Sequence, residues 1–382
     1  MRIKQIVIIM VTAFLAGGCV FGQGAFTDKD SLSIAAEDKK FLEIRTPQNL
    51  RCGIEIAARE TDRITVEYYK WARAKSLAQE KRFSDLIDVQ LDTRSRTPDG
   101  AFLRILTPTK APWEGTDYSM GIELQIKVPV NFKIDSHNSY SDIKLWGPLK
   151  DAEIYNEYGT IEITDVNGSV IVKASYTPVE LTQITGLVSV ETRYGEIVGK
   201  DIAITGSQGS FETSYGAIEL ENIQGSVEAR TSYEKITAKN IDAGSNCVIL
   251  TTSYGPIDAE DISGELVCET SYHSVNLSNI DLTHGMNKIE TKYAPVNIEI
   301  HRINASQLLI NNAYSSINLL LQPDVSAKLM LTVDERGKIH TRGFSIKPLA
   351  IDKNRLIGII GDGLARIELN VDGIGEINID KQ

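Results

Sequence analysis

Ten tyrosines recur at near-fixed spacing and are the residues best suited to build a recognition surface. They are Tyr140, Tyr158, Tyr176, Tyr194, Tyr215, Tyr233, Tyr254, Tyr272, Tyr293 and Tyr314, each 18 or 21 residues from the next. Rings stacked at one strand separation could grip sugar rings or another protein. The eight from Tyr158 to Tyr293 are the candidate binding face. The same stack could instead close a corner of a repetitive fold, with rings packed on each other and hydroxyls in water, and its regular internal placement favours that. Four residues after most of these tyrosines stands an acidic or polar residue, as in Glu162, Glu180, Glu219, Asp258, Asn276, Asn297 and Asn318. Such a column could hold calcium weakly or face a cationic glycan. As a solvated face it would also keep the sheet from pairing edge-on with neighbours. Asp, Asn or Gln stands at +7, but the Gly-Gly-x-Gly-x-Asp calcium repeat is absent, so no metal site is expected.

Catalysis would need residues that break the repeat's own rules. The five histidines, His137, His273, His284, His301 and His340, share no register position. No cluster of Asp, Glu, Arg or Lys interrupts the repeats in one spot, and no coil carries a long loop that would build a groove. The repeats depart from their pattern only by three-residue insertions. The expectation is a chain that is not an enzyme and takes no cofactor. The rival is a polysaccharide-cleaving β-helix with carboxylates in a groove.

These side chains must be placed by strands. The repeat Tyr254 to Ser271 reads YGPIDAEDISGELVCETS. Counting Tyr as zero, apolar residues fall at +3 and +8, a Gly soon follows in most repeats, and Thr stands two before the next Tyr. Short runs of period two mean strands, and nothing in a repeat has helical period or length. Asn, Asp and Gly supply positive-φ corners. One repeat cannot bury its apolar face alone, whereas stacked repeats share a core. The fold class is therefore all-β: a single-stranded parallel β-helix, or β-solenoid, of about ten coils of 18 to 21 residues. Parallel crossovers favour a right-handed coil.

In chain order, residues 1–18 form an export signal, with Arg2 and Lys4 before an apolar run from Ile6 to Leu15 that is too short to span a bilayer. Ala16-Gly17-Gly18-Cys19 resembles a bacterial lipobox, which implies lipidation at Cys19. Ala16 and Gly18 also suit ordinary signal peptidase, which would leave a soluble secreted protein. Residues 19–40 are read as a lipid-anchored tether to the membrane. One solenoid domain then spans 41–382: an N-terminal cap and first strands over 41–130, regular repeats over 131–323, and C-terminal coils and cap over 324–382. A helix over about 72–88, rich in Ala, Lys and Glu, is expected to cap the first coils. The chain has 40 basic and 51 acidic residues, a net charge of -11 that falls to -13 without Arg2 and Lys4, which disfavours nucleic acid as a partner. After the signal, three cysteines remain, Cys52, Cys247 and Cys268. An odd thiol is left over, so no disulfide scaffold is expected.

The Y-G-x-I coils with D/N-I-x-G corners, together with the closing Gly361-Asp362-Gly363-Leu364-Ala365-Arg366-Ile367-Glu368-Leu369, resemble a bacterial family of exported putative-adhesin β-solenoid proteins. The resemblance covers most of the mature chain. It implies a non-enzymatic, surface-anchored binding protein of the cell envelope that presents a flat repetitive face to glycan or protein. It leaves a periplasmic structural or stress-sensing role as the alternative, and it carries no catalytic residues.

Overall fold

The computed structural model describes residues 26–93 and 99–382. The export signal and Cys19 lie outside the described residues. Thirty-one strands and one helix make the described chain all-β, a parallel β-solenoid. It divides into two compact units, residues 1–169 and 170–382.

In the first unit the strands are β1 (Phe26–Ala35), β2 (Phe41–Arg45), β3 (Arg51–Arg59), β4 (Arg63–Arg73), β5 (Asp88–Asp92), β6 (Gly100–Leu106), β7 (Ser119–Pro129), β8 (Lys133–His137), β9 (Ser141–Leu149), β10 (Asp151–Tyr158) and β11 (Ile161–Asn167). They stack in two parallel ladders, β6-β2-β8-β10 and β7-β3-β9-β11. Chain order and spatial order differ here. The first coil, β2 and β3, lies between the coil of β6 and β7 and that of β8 and β9. Antiparallel strands close the outer side: β5 pairs with β6, β4 with β7, and β1 with β4.

Two expectations change in this unit. The segment read as a tether becomes strand at Phe26, because Leu32 and Ile34 alternate with polar residues and pair opposite Val66 and Ile64 of β4. The helix α1 is shorter than 72–88, spanning Leu77–Ser84. Its start is set by Ser76, whose hydroxyl caps the Gln79 amide, and β4 claims residues up to Arg73. The helix is held by Phe83, buried edge-on against Trp113, and by Glu80, which accepts from the Ala74 amide at 3.1 Å.

The second unit has two parallel ladders of its own. One stacks β13 (Val179–Gly186), β15 (Ile197–Ile204), β17 (Ile218–Gln224), the first half of β19 (Ile236–Thr251), the first half of β20 (Ile257–Glu269), β21 (Val275–Leu282), β23 (Val296–Ile303) and β25 (Ile317–Leu321). The other stacks β12 (Val170–Tyr176), β14 (Val188–Glu191), β16 (Gly209–Glu212), β18 (Val227–Arg230), the second halves of β19 and β20, β22 (Met286–Thr291) and β24 (Gln307–Asn312).

The shift of inward parity along a coil has one cause. In the coil of Tyr254, Ile257 and Ala259 point inward, and so does Ile262. Strict alternation would bury Asp261. Asp261 instead takes a left-handed φ of 57°, which resets the alternation and leaves its side chain outside. Gln183, Asp201, Asn222, Asn240 and Asn279 do the same, with φ of 52° to 57°. The coil of Tyr293 lacks such a residue; Ile300 at +7 is then buried, and the ladder shifts register between Leu277 and Ile280. Volume is conserved across the core: Gly199 stands where neighbouring coils have Leu181 and Leu220, and the fully buried Phe211 ring fills that space, 3.4 Å from where a Gly199 Cβ would be.

The C-terminal strands do not follow in order. They are β26 (Ala327–Val333), β27 (Lys338–Arg342), β28 (Lys347–Asp352), β29 (Arg355–Ile360), β30 (Ala365–Val371) and β31 (Glu376–Lys381). The last two insert between earlier ones: β30 pairs with β24 and β26, and β31 with β25 and β27. Antiparallel β29 and β28 then cover β26.

Candidate functional site

The tyrosines form ring stacks. Within the first unit Tyr140 and Tyr158 lie 4.8 Å apart at 4°. Within the second, the centroids of Tyr176, Tyr194, Tyr215, Tyr233, Tyr254, Tyr272, Tyr293 and Tyr314 follow one another at 4.6 to 5.4 Å, with planes inclined by 3° to 22°. From Tyr194 to Tyr293 each ring is anchored from behind. The Thr two residues earlier is buried and bonds carbonyls of the preceding coil, as when Thr213 Oγ1 donates to Gly195 O at 3.1 Å and accepts from the Gly216 amide at 3.2 Å. Asn312 takes this place before Tyr314 and donates to Ala294 O at 2.9 Å. Ring faces inside the stack are covered by neighbouring rings. What reaches solvent is ring edge, on rings 43% to 58% exposed in the second unit. A sugar that needs an open aromatic face finds none along the column's interior.

A second feature lies in the first ladder of the second unit. A groove of about 520 Å³ runs across the strands there. One wall carries Asp258, Asn276, Asn297 and Asn318 at +4, the other Lys239, Glu260, Ser278 and Glu299 at +6, ending in Leu320 and Asp380. The floor is lined by Ala259, Leu277, Ile298 and Leu319, whose side chains are buried.

The +4 wall is a continuous amide ladder. Asn276 Nδ2 donates to Asp258 Oδ1 at 2.7 Å, Asn297 to Asn276 at 2.8 Å, Asn318 to Asn297 at 2.7 Å, and Asn378 to Asn318 at 2.9 Å. Its polarity follows from the group at its end: a carboxylate can only accept. Burial pulls the Asp258 carboxyl upward, but the hydrogen bonds from Lys235 and Asn276 outweigh this and hold it below the usual range, so it is ionised. Lys235 Nζ sits 2.6 Å from it. Shorter ladders obey the same rule: Asn240 to Asn222 to Asp201, Asn279 to Asp261, and Asn370 to Asn311 to Glu290. Each Asn has two amide hydrogens and two carbonyl lone pairs. Asn297 and Asn318 spend one of each within the ladder and keep the other pair unspent, at a repeat of about 4.8 Å.

The sequence placed Asp258, Asn276, Asn297 and Asn318 in one outward column, and the structure brings them together. It missed Asn378, which lies 60 residues from its ladder partner Asn318 because β31 is inserted. The signal was present: Val-Asn-Leu at 275–277, Val-Asn-Ile at 296–298, Ile-Asn-Leu at 317–319 and Ile-Asn-Ile at 377–379 are one motif. The expectation that a groove needs a long loop is overturned, since two columns of side chains on successive strands form the walls. The Asp, Asn and Gln side chains at +7 lie outside, and the Thr column at -2 is buried. Cys52, Cys247 and Cys268 are free thiols, with Cys52 and Cys268 buried. Among the described residues no group of three or more His, Cys, Asp or Glu could hold a metal ion.

A scan of protein-family models finds no match to this chain, and a search of curated proteins finds none. Among solved structures, a putative cell adhesion protein from Clostridium sporogenes ATCC 15579 aligns with 94% of this chain and 100% of its own, at 10% identity and a TM-score of 0.20. A putative adhesin from Parabacteroides distasonis ATCC 8503 aligns with 93% of this chain and 97% of its own, at 9% identity and a TM-score of 0.19. Neither likeness is close enough to carry an argument about this chain.

Proposed function

We propose that this chain is a non-catalytic, adhesin-type binding protein of the bacterial cell envelope that takes a linear glycan along the groove of its second unit. In this reading it is exported by residues 1–18 and held at a membrane by lipid on Cys19. The observation that supports it is the amide ladder. Asn297 and Asn318, on successive coils, each keep one N–H and one lone pair outside the ladder, and a chain of hexoses offers hydroxyls that both donate and accept. Glu260, Glu299 and Asp380 on the opposite wall disfavour an acidic polymer, and Lys239 is engaged by Glu260 at 3.1 Å. The ligand class is therefore a neutral or amine-bearing glycan. The tyrosine column is assigned to the corner of the coil rather than to the ligand.

The test is titration of immobilised neutral, amino and acidic polysaccharides against the protein and two variants. Asn297→Ala/Asn318→Ala removes two outward amides and should weaken binding about tenfold, from the usual worth of a hydrogen bond. Tyr215→Ala/Tyr233→Ala should lower the melting temperature and leave affinity in the folded protein unchanged. Loss of binding with the tyrosine pair alone would move the site to the column. Release of new reducing ends from any of these polymers would overturn the non-catalytic reading.

A further inference from the structure

The terminal layer of the second unit, β27 to β29, differs from the rest of the chain in two ways. The first is charge. Residues 336–355 carry Arg336, Lys338, Arg342, Lys347, Lys353 and Arg355 against Asp352 alone, in a chain whose net charge is -11. All six cations are exposed. Lys338 and Arg342 sit 3.9 and 4.0 Å from Glu376 and Asp380 of β31. Arg336, Lys347, Lys353 and Arg355 have no ion-pair partner among the described residues. The two acids just upstream, Asp334 and Glu335, lie in the turn leading into β27, where Asp334 Oδ1 accepts from the Glu335 amide at 2.7 Å.

The second difference is apolar exposure. Every residue of β28 is exposed, and Leu349 and Ile351 are 54% and 67% open. Leu356, Ile357 and Ile359 of β29 are only half-buried beside them. Large exposed aliphatics on a soluble surface mark an interaction site. Edge pairing with another strand is a poor explanation: Pro348 lacks an amide, and the ladder of β28 with β29 shifts register between Pro348 and Ala350. Both features blunt an edge. What remains is a surface of exposed aliphatics on strands whose ends and turns carry cations without ion-pair partners. That combination fits the boundary of an anionic bilayer, where aliphatics enter the acyl region and cations meet phosphates.

We propose that Lys347, Leu349, Ile351, Lys353 and Arg355, on β28, β29 and the turn between them, form a docking surface for an anionic phospholipid membrane, independent of any lipid on Cys19. The acidic remainder of the chain does not forbid this, because charges more than about 10 Å from the surface are largely screened at physiological salt.

The test is co-sedimentation of the Cys19→Ser chain, which cannot be acylated there, with vesicles. Mixed phosphatidylglycerol and phosphatidylcholine vesicles should pull the protein down, pure phosphatidylcholine should not, and raised salt should weaken the binding. Lys347→Glu/Lys353→Glu/Arg355→Glu should reduce partitioning about a hundredfold or more, from the usual worth of each cation near such a surface. Leu349→Ser/Ile351→Ser should also reduce it, while melting curves show both variants folded; Ile351→Ser alone serves if either is not. Equal binding to neutral vesicles, or undiminished binding by the folded variants, would overturn the proposal. So would binding to heparin that ignores Leu349 and Ile351 with no binding to anionic vesicles, since that marks a site for soluble polyanions.

Discussion

Removal of residues 362–382 should cost the chain much more than its last two strands. β26 joins the parallel ladder through β30, and β27 through β31. The deleted strands carry Ile367, Leu369, Val371, Ile377 and Ile379, each at most 1% exposed. At about 1.5–3 kcal/mol for each buried aliphatic, they contribute roughly 8–15 kcal/mol. Compact denatured chains make this an upper figure, yet it matches the net stability of a whole domain, about 5–15 kcal/mol. With the seat empty, Leu329 and Leu331 of β26, now fully buried, would face water. The layer from β26 to β29 should therefore come away as a unit. Limited proteolysis read by mass spectrometry should give a protected core ending near Gln322, with residues 327–360 cleaved. Leu369→Ala in the full chain should loosen the same layer by about 2–5 kcal/mol, visible as earlier cleavage there. A truncated chain still protected through Ile360 would refute the reasoning, because β26 to β29 would then have a hold that the ladders do not account for.

Two further outcomes follow from the core and the repeat. Burial, aided by Glu265 and Glu228, pushes the Cys247 thiol up to about 11, so its thiolate is scarce at neutral pH. Its alkylation rate should climb about tenfold per pH unit from pH 8 to 10, and a plateau near pH 9 would contradict this, while Cys52 and Cys268 should react only on unfolding. Deleting Tyr215 to Ser232 removes one whole 18-residue coil and brings Tyr233 onto Tyr194. The β signature in circular dichroism should survive with a modest drop in melting temperature, because stability is close to a sum over coils and their interfaces; removing half a coil should abolish folding of the unit.

The regular coils were legible because each level of the sequence repeats the same message. Tyr254, Ile257, Asp261, Ile262 and Thr270 each hold one place in the coil, and each place has one physical demand: stacking, burial, left-handed backbone, burial, or a bond to the preceding coil. The ends were harder to read because their demands are set by non-local pairing. Ile377-Asn378-Ile379 has the right pattern for a coil, but nothing local says that it sits next to Ile317 rather than after Arg342. The helix is shorter than its composition suggests because Ala72 and Ala74 suit a helix, while Trp71 and Ala72 are claimed by pairing with Gly121 and Met120 of β7. The candidate site was half visible. The column of Asp258 and the following amides stood out, but whether it was a solvated strip or a bonded ladder depends on side-chain directions that spacing alone leaves open.

The inserted strands at both ends also set a timetable. As the chain is synthesised, β2 and β3 emerge as the first coil, yet the strands that flank them on both sides, β6 and β7 and then β8 and β9, are made afterwards. This coil stands with open edges until residue 149 has appeared. The central coils of the second unit fare differently, since each new coil lays down on one already finished. The final layer waits again, with β26 and β27 idle until the last strand arrives. A chain stopped before β30 and β31 therefore differs in more than length: β26 and β27 lack their ladder partners, and unpaired strands are the feature that proteases and aggregation act upon. Entry of β26 and β27 into their ladders thus waits on β30 and β31, whereas the coils of the second unit before them add one upon another.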